Sequence, residues 1–223
     1  MMAERKAWSG DMDILVWSGK DDAMLFEELR PADNSTLSAS PERQLLVEAL
    51  LADFRRAYPV IDFSLVPEFN FLNAQALHFG SRKLVKLYGG LAFNFAIGED
   101  ALMFALLHET GHHFATGSRL VLNPRLACEC ASDLWAINEG AATLLERTGR
   151  SVDIANALND LNRAIQQQIG SGQIESPASS GHSPNCWAMN WEDRKKSILI
   201  NRCVDTGACP LAELMLSASS PLR

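Results

Sequence analysis

The stretch FALLHETGHHFATG, residues 104–117, places His108, Glu109 and His112 in the pattern H-E-x-x-H within an apolar run. Residues four apart on a helix lie on one face. His108 and His112 are therefore stacked one turn apart, and each can point a ring nitrogen at the same ion, which zinc accepts at roughly 2.0–2.1 Å. Glu109 sits one step round the helix. It is poorly placed to ligate but within reach of a water on that ion, which is the geometry that makes H-E-x-x-H a metallopeptidase pattern. The apolar neighbours Leu102, Phe104, Ala105, Leu106 and Leu107 argue for a largely buried helix, where histidines need partners. His113 falls off the shared face and is expected to pack or to face solvent.

Working outward, the pattern predicts this helix from about Glu99 to Thr116, with Asp100 as its cap and Gly117 as its stop. Upstream, "VIDFSLV" (60–66) alternates like a strand. "NAQALHFG" (73–80) and "RKLVKLYGGLAF" (82–93) read as two more strands joined by a turn at Gly80-Ser81. Pro41 opens a helix over "ERQLLVEALLADFRRAY", with Leu45, Leu46, Ala49, Leu50 and Phe54 as its apolar face. Residues 1–40 form an N-terminal extension in which only "DILVW" (13–17) suggests a strand. Downstream, Asn123-Pro124 is expected to start a helix that runs through "RLACECASDLWAINEGAATLLERT" and stops at Gly149. A helix from Ser151 to Ile169 follows, then a Ser/Gly/Pro-rich flexible loop (170–185) and a last helix, "WEDRKKSILINR" (191–202). The expected architecture is α+β. A small, mainly antiparallel sheet packs on the helix of the opening motif, and a helical C-terminal part follows, all within one domain spanning 41–223.

Two histidines leave a third ligand to be found, with the fourth position left to water. The downstream helix offers Glu129 and Glu139. Ten residues apart on a helix, they differ by about 80° in azimuth and about 15 Å along the axis, so only one of them can reach the ion. Glu129 has Asp133 one turn on, and such a carboxylate can accept the outer N–H of a ligating histidine and fix its tautomer.

H-E-x-x-H followed by E-x-x-x-D resembles the signature of gluzincin metallopeptidases. The order "NAQA", "YGGLAF", H-E-x-x-H, "ECASDLWA" is similar to the catalytic domain of the HtpX and Oma-type branch over roughly residues 60–200. The resemblance implies a zincin-like fold, one zinc ion per chain held by His108, His112 and Glu129, and Glu109 as general base. It also implies that the strand holding Asn73 and Ala74 pairs with a substrate backbone. The sequence departs from that branch in lacking its membrane helices. Its gap of sixteen residues between His112 and Glu129 is shorter, closer to the small soluble gluzincins of the ImmA type. The branch's His-Pro element survives only as His182-Ser183-Pro184, with Arg194 far behind. His182 is the candidate donor to a developing oxyanion and Arg194 the alternative. A rival resemblance, of "DLWAINEGAATLLE" to gluzincin aminopeptidases, selects Glu139 instead. Glu139 stands further from His112 than in those enzymes, and their G-x-M-E-N motif is missing.

The bulk numbers narrow the rest. A net charge of −7 and a pI near 5.2 disfavour nucleic acid or an anionic membrane surface as partners. The N-terminus lacks a signal-peptide core, and no apolar run reaches the ~18 residues of a membrane span. Five cysteines, an odd number, with Cys128-x-Cys130 too tight for a zinc pair, read as reduced. The expectation is a soluble, cytoplasmic zinc endopeptidase acting on a peptide or protein, with a regulatory protease that cuts one repressor or partner as the second reading. The alternative of a different class is a gluzincin-like protein that binds a partner without cleaving it.

Overall fold

The computed structural model describes residues 39–70, 72–117, 119, 125–170 and 191–201. The "DILVW" segment, Asn123-Pro124 and His182 lie outside the described residues. The first helix, α1 (Pro41–Ala57), starts where Ser40 accepts the Arg43 N–H at 3.2 Å with Pro41 in the first turn. Its buried face is Val47, Leu50, Leu51, Phe54 and Ala57. Leu45, expected inside, is exposed: the true stripe lies further round the helix, because Val47 and Leu51 belong to it and Leu45 does not.

Three strands follow: β1 (Ile61–Val66), β2 (Ala74–Phe79) and β3 (Arg82–Tyr88), in the order β1-β3-β2. β2 and β3 form the antiparallel hairpin expected, turning at Gly80, whose φ of +56° suits glycine. β1 pairs with β3 in parallel, so the sheet is mixed rather than mainly antiparallel. β3 also ends sooner than expected. Tyr88 is its last residue, and "GGLA" turns into the short helix α2 (Gly89–Ala92). Among the described residues β2 has β3 as its sole strand partner, so it is an edge of the sheet.

Helix α3 (Glu99–Phe114) carries the opening motif and packs against this sheet. Asp100 is not its cap. The chain enters through Gly98, whose N–H is accepted at 2.9 Å by Asp160 from a later helix, while Asp100 turns sideways to bind Asn156 and the Asp153 N–H. A buried carboxylate at a helix start complements the helix dipole. There follow α4 (Glu129–Trp135), a π-helical turn (Ala136–Gly140), α5 (Ala141–Thr148), α6 (Ile154–Gly170) and α7 (Trp191–Leu199); α4, the π turn and α6 pack on α3, α5 packs on α1, and α7 packs on α4. The helix expected from Asn123-Pro124 starts only at Glu129. Among the described residues before it, Arg125 and Leu126 form a turn, Ala127 bridges Arg119 and Cys128 is extended. Its predicted end holds, since Gly149 closes α5 at φ +77°. The π turn is anchored by the Tyr58 hydroxyl, which donates to the Gly140 carbonyl at 2.7 Å within a cluster of Phe54, Phe63, Phe114 and Trp135.

Cys128 and Cys130 are both disulfide-bonded, which corrects the expectation of reduced thiols. Disulfides persist in oxidising surroundings, so the cysteines no longer speak for a cytosolic setting. Among the described residues no helix is long and apolar enough to cross a membrane.

Candidate metal centre

Helix periodicity brings His108 and His112 together as predicted, with ring centroids 4.6 Å apart and planes nearly perpendicular. His108, Glu109 and His112 are all buried and offer ligand atoms within 4.8 Å of one another, a group that can hold a metal ion. Burial on this scale needs close packing of α3 against α4, and Gly111 provides it. A Cβ there would stand 2.6 Å from the Ser132 carbonyl oxygen and 2.9 Å from its Cα, so any larger residue in the middle of the motif would push the helices apart.

That close approach carries Glu129, the first residue of α4, to the open side of both rings. Its carboxylate oxygens lie 3.1 Å from His108 Nε2 and 3.5 Å from His112 Nε2. Glu129 is also buried, and its Oε2 faces His108 Nε2 at 3.1 Å and Arg194 Nη1 at 3.2 Å without a well-formed hydrogen bond among the described residues. A buried carboxylate held so loosely can turn toward a cation between the rings. Two imidazole nitrogens and a carboxylate are the donor set that zinc takes at catalytic sites, so these residues fit a divalent ion. Glu139, in the π turn that follows α4, is exposed.

The far side of each ring is held differently. His108 Nδ1 lies 2.8 Å from Asp133, the carboxylate expected there. Asp133 in turn accepts from Arg194 of α7 through Nε at 2.9 Å and Nη2 at 2.5 Å, and Arg194 Nη1 lies 3.2 Å from Glu129. Arg194 is thus fully buried behind the ligands and braces two acidic residues. His112 Nδ1 meets the Ala127 carbonyl at 2.7 Å and the Ser132 hydroxyl at 2.9 Å. Sequence reasoning missed both partners. The helix expected over the residues preceding Glu129 would have spent the Ala127 carbonyl within it. His113 is buried too, with Nε2 against the Leu84 carbonyl at 3.0 Å.

These surroundings set the charges of the metal-free site. Burial and Arg194 oppose protonation of His108, yet Asp133 and Glu129 outweigh them and push it up to about 9. Burial dominates at His112 and takes it down to about 4, despite Glu129. Burial raises Glu109 to about 8, against the pull of His108. Glu129 and Asp133 both stay well below the usual carboxylate range: burial would raise them, but His112, Arg194 and His108 lower Glu129, and Arg194 and His108 lower Asp133.

Glu109 also accepts the backbone N–H of Ala76, which fixes how the sheet edge meets the site. The Asn73 carbonyl is taken by the Tyr88 N–H at 3.2 Å. In an antiparallel pair inward and outward residues alternate, so the backbone groups of Ala74 and Ala76 turn away from β3. Of the two residues expected to bind substrate, Ala74 presents its main chain at the free edge. Asn73 turns its carbonyl into the sheet and contributes instead to the wall of a cavity beside His108 and Glu109.

No protein family, curated protein or solved structure was found to match this chain. What is established is a buried HExxH triad next to a small mixed sheet, able to bind a metal.

Proposed function

We propose that the chain is a zinc-dependent peptidase of the gluzincin type, acting on peptide or protein substrates. The observation that carries this reading is the placement of Glu129 against both His108 Nε2 and His112 Nε2, with Glu109 beside them rather than among them. His108, His112 and Glu129 would hold the ion. When bound, zinc lowers the pKa of a coordinated water toward ~7 and polarises a carbonyl oxygen. Glu109 takes the proton of the attacking water and delivers it to the departing amine nitrogen. A carboxyl raised by burial is suited to both transfers. The free edge of β2 adds a strand-shaped substrate through main-chain hydrogen bonds at Ala74, which tolerates many sequences. Arg194 is a positioning residue in this scheme, acting through Asp133 and Glu129. His182 remains a proposed oxyanion donor on chemical grounds alone.

The test has two parts. Protein purified without chelator is expected to carry one zinc per chain, and Glu129→Ala to lose it, while Glu139→Ala keeps it. Glu109→Gln is expected to retain zinc and fold and to lose ~10²–10⁴ in cleavage rate. Metal retained at full stoichiometry with no cleavage of any peptide by the wild type would leave a metal-binding protein that engages a partner without hydrolysis.

A further inference from the structure

A cavity of about 380 Å3, counted to its open mouth, adjoins His108 and Glu109. Its apolar walls are Leu72, Leu91, Phe104, Ala105, Leu161 and Ile165. They come from the approach to β2, from α2, from α3 and from α6, so the cavity is built where four elements meet. Leu91, Phe104 and Leu161 are buried and form the floor, while Leu72, Ala105 and Ile165 are half-buried and lie toward the mouth. The α6 wall is fixed in place: Asp160, next to Leu161, accepts the Gly98 N–H at the start of α3. Asn73, His108 and Glu109 are the polar part of the lining, on the side of the metal triad, and Ala74, with its outward backbone, completes the rim.

We infer that this cavity is a specificity pocket that takes the aliphatic side chain of a substrate residue flanking the cleaved bond. The inference rests on the peptidase reading above and names the substrate class for it. Three features carry it. The rim is shared with Glu109 and with Ala74, so a backbone paired on the β2 edge and presented to Glu109 places an adjacent side chain at the mouth. Among the described residues the floor is hydrocarbon, without an ionisable group to match a charged side chain, and burying an unpaired charge is costly. The 380 Å3 includes the mouth, so the enclosed part is smaller, which favours a compact side chain. Ala105 and Ile165 then set the size limit from opposite walls.

The experiment uses the full chain loaded with zinc and a mixed peptide library whose cleavage sites are read by mass spectrometry. Leu, Ile, Val and Met are expected to be enriched about 10-fold or more at one position next to the cleaved bond, since each methylene in an apolar pocket discriminates by roughly that factor. Ala105→Phe fills the mouth and is expected to move the preference to Gly and Ala, with zinc content and Tm unchanged. Ile165→Ala widens it and is expected to admit Phe. A flat profile, a preference for charged residues, or a profile unmoved by both variants overturns the inference. A second readout is independent of turnover: titration of zinc-loaded Glu109→Gln with blocked tripeptides carrying central Leu or central Gly. Leucine binding at least about 10-fold tighter, abolished by adding Ala105→Phe, supports the pocket, and equal binding overturns it. Selective leucine binding without any wild-type cleavage would sink the peptidase reading and leave the pocket standing.

Discussion

The two histidines of the triad are chemically identical and stand one helical turn apart, yet the protein holds them by opposite means. His108 is backed by charge: Asp133 from α4, itself gripped by Arg194 from α7. His112 is backed by neutral dipoles, the Ala127 carbonyl and the Ser132 hydroxyl, both within a short stretch of chain next to α4. The first arrangement is strong and long-range, since it depends on a helix 61 residues beyond Asp133. The second is local and comes with the close packing that Gly111 allows. Glu129 is where the two sides meet, touching both rings and Arg194.

The comparison breaks most visibly at Arg194. Arg194→Met would leave Asp133 and Glu129 as buried carboxylates with only the His108 ring, among the described residues, to offset their charge. Removing one member of a buried ion network typically costs about 3–5 kcal/mol. The expected result is a chain whose metal-free form is destabilised by about that amount in denaturant titration, and which regains part of the loss when zinc is added. A change under about 1 kcal/mol would mean that the charged side is not what holds the helices around His108.

Asp133→Ala sharpens the same point at the metal. The outer N–H of His108 loses its acceptor, and zinc affinity is expected to fall roughly 10–100-fold, the usual effect of removing such a carboxylate. Competition against a chelator of known affinity measures it. An unchanged affinity would show that Arg194 and the packing alone orient the His108 ring.

The asymmetry also explains what was legible in the sequence. H-E-x-x-H declares itself because helix periodicity is local: residues 108, 109 and 112 need only one regular helix to meet. Asp133 was legible by the same rule, one turn from Glu129. The end of α5 at Gly149 and the β2–β3 hairpin at Gly80 followed from local glycine signals. What failed was wherever tertiary contact overrides local signals. Asn123-Pro124 looks like a helix start, but Ala127 and Cys128 are not helical, and Ala127 gives its carbonyl to the His112 ring and its N–H to the His112 carbonyl at 2.7 Å. Asp100 looks like a cap, but Asp160 supplies that role from 62 residues away. Tyr88-Gly89-Gly90 looks like continuing strand, but Gly89 packs so close to the Pro67 carbonyl that the chain turns there instead. Arg194 was legible as a candidate, and its partners were not, because nothing in a single sequence says which carboxylates α7 will cover.

Proton uptake offers a finer contrast between the two rings. In the metal-free form His108 is pushed up to about 9, so it carries a proton at pH 7, while His112 at about 4 carries none. A ligating nitrogen must be deprotonated. Zinc arriving at pH 7 therefore expels a proton from His108 and none from His112. Apparent affinity should rise about tenfold per pH unit from 7 toward 9 and flatten above, where His108 is already neutral. Glu109, at about 8, adds part of a second proton if the cation draws its pKa down. Calorimetry in buffers of different ionisation enthalpy counts these protons, and a count of zero at pH 7 would place His108 neutral before the metal arrives. Asp133→Asn should reduce the count, because the carboxylate is one of the two groups that raise His108.

The smallest effect belongs to the neutral side, and it is the one most able to overturn the contrast. Ser132→Ala removes the hydroxyl 2.9 Å from His112 Nδ1 but leaves the Ala127 carbonyl at 2.7 Å. One Nδ1–H has one proton to give, and the nearer, stronger acceptor is the carbonyl. The substitution also removes no charge, and alanine fits the space of serine without disturbing the contact of Gly111 with the Ser132 backbone. A neutral hydrogen bond contributes about 0.5–1.5 kcal/mol when it is lost outright, and here it is lost with a substitute already in place. The expected cost in zinc affinity is therefore at the low end, about two- to threefold, set against the 10–100-fold at Asp133. Side-by-side chelator competition on the two variants decides the matter. Equal losses at Ser132 and Asp133 would mean that the hydroxyl, not the main-chain carbonyl, orients His112. The two histidines would then be held by side chains in the same way, and the local half of the site would be as exposed to mutation as the long-range half.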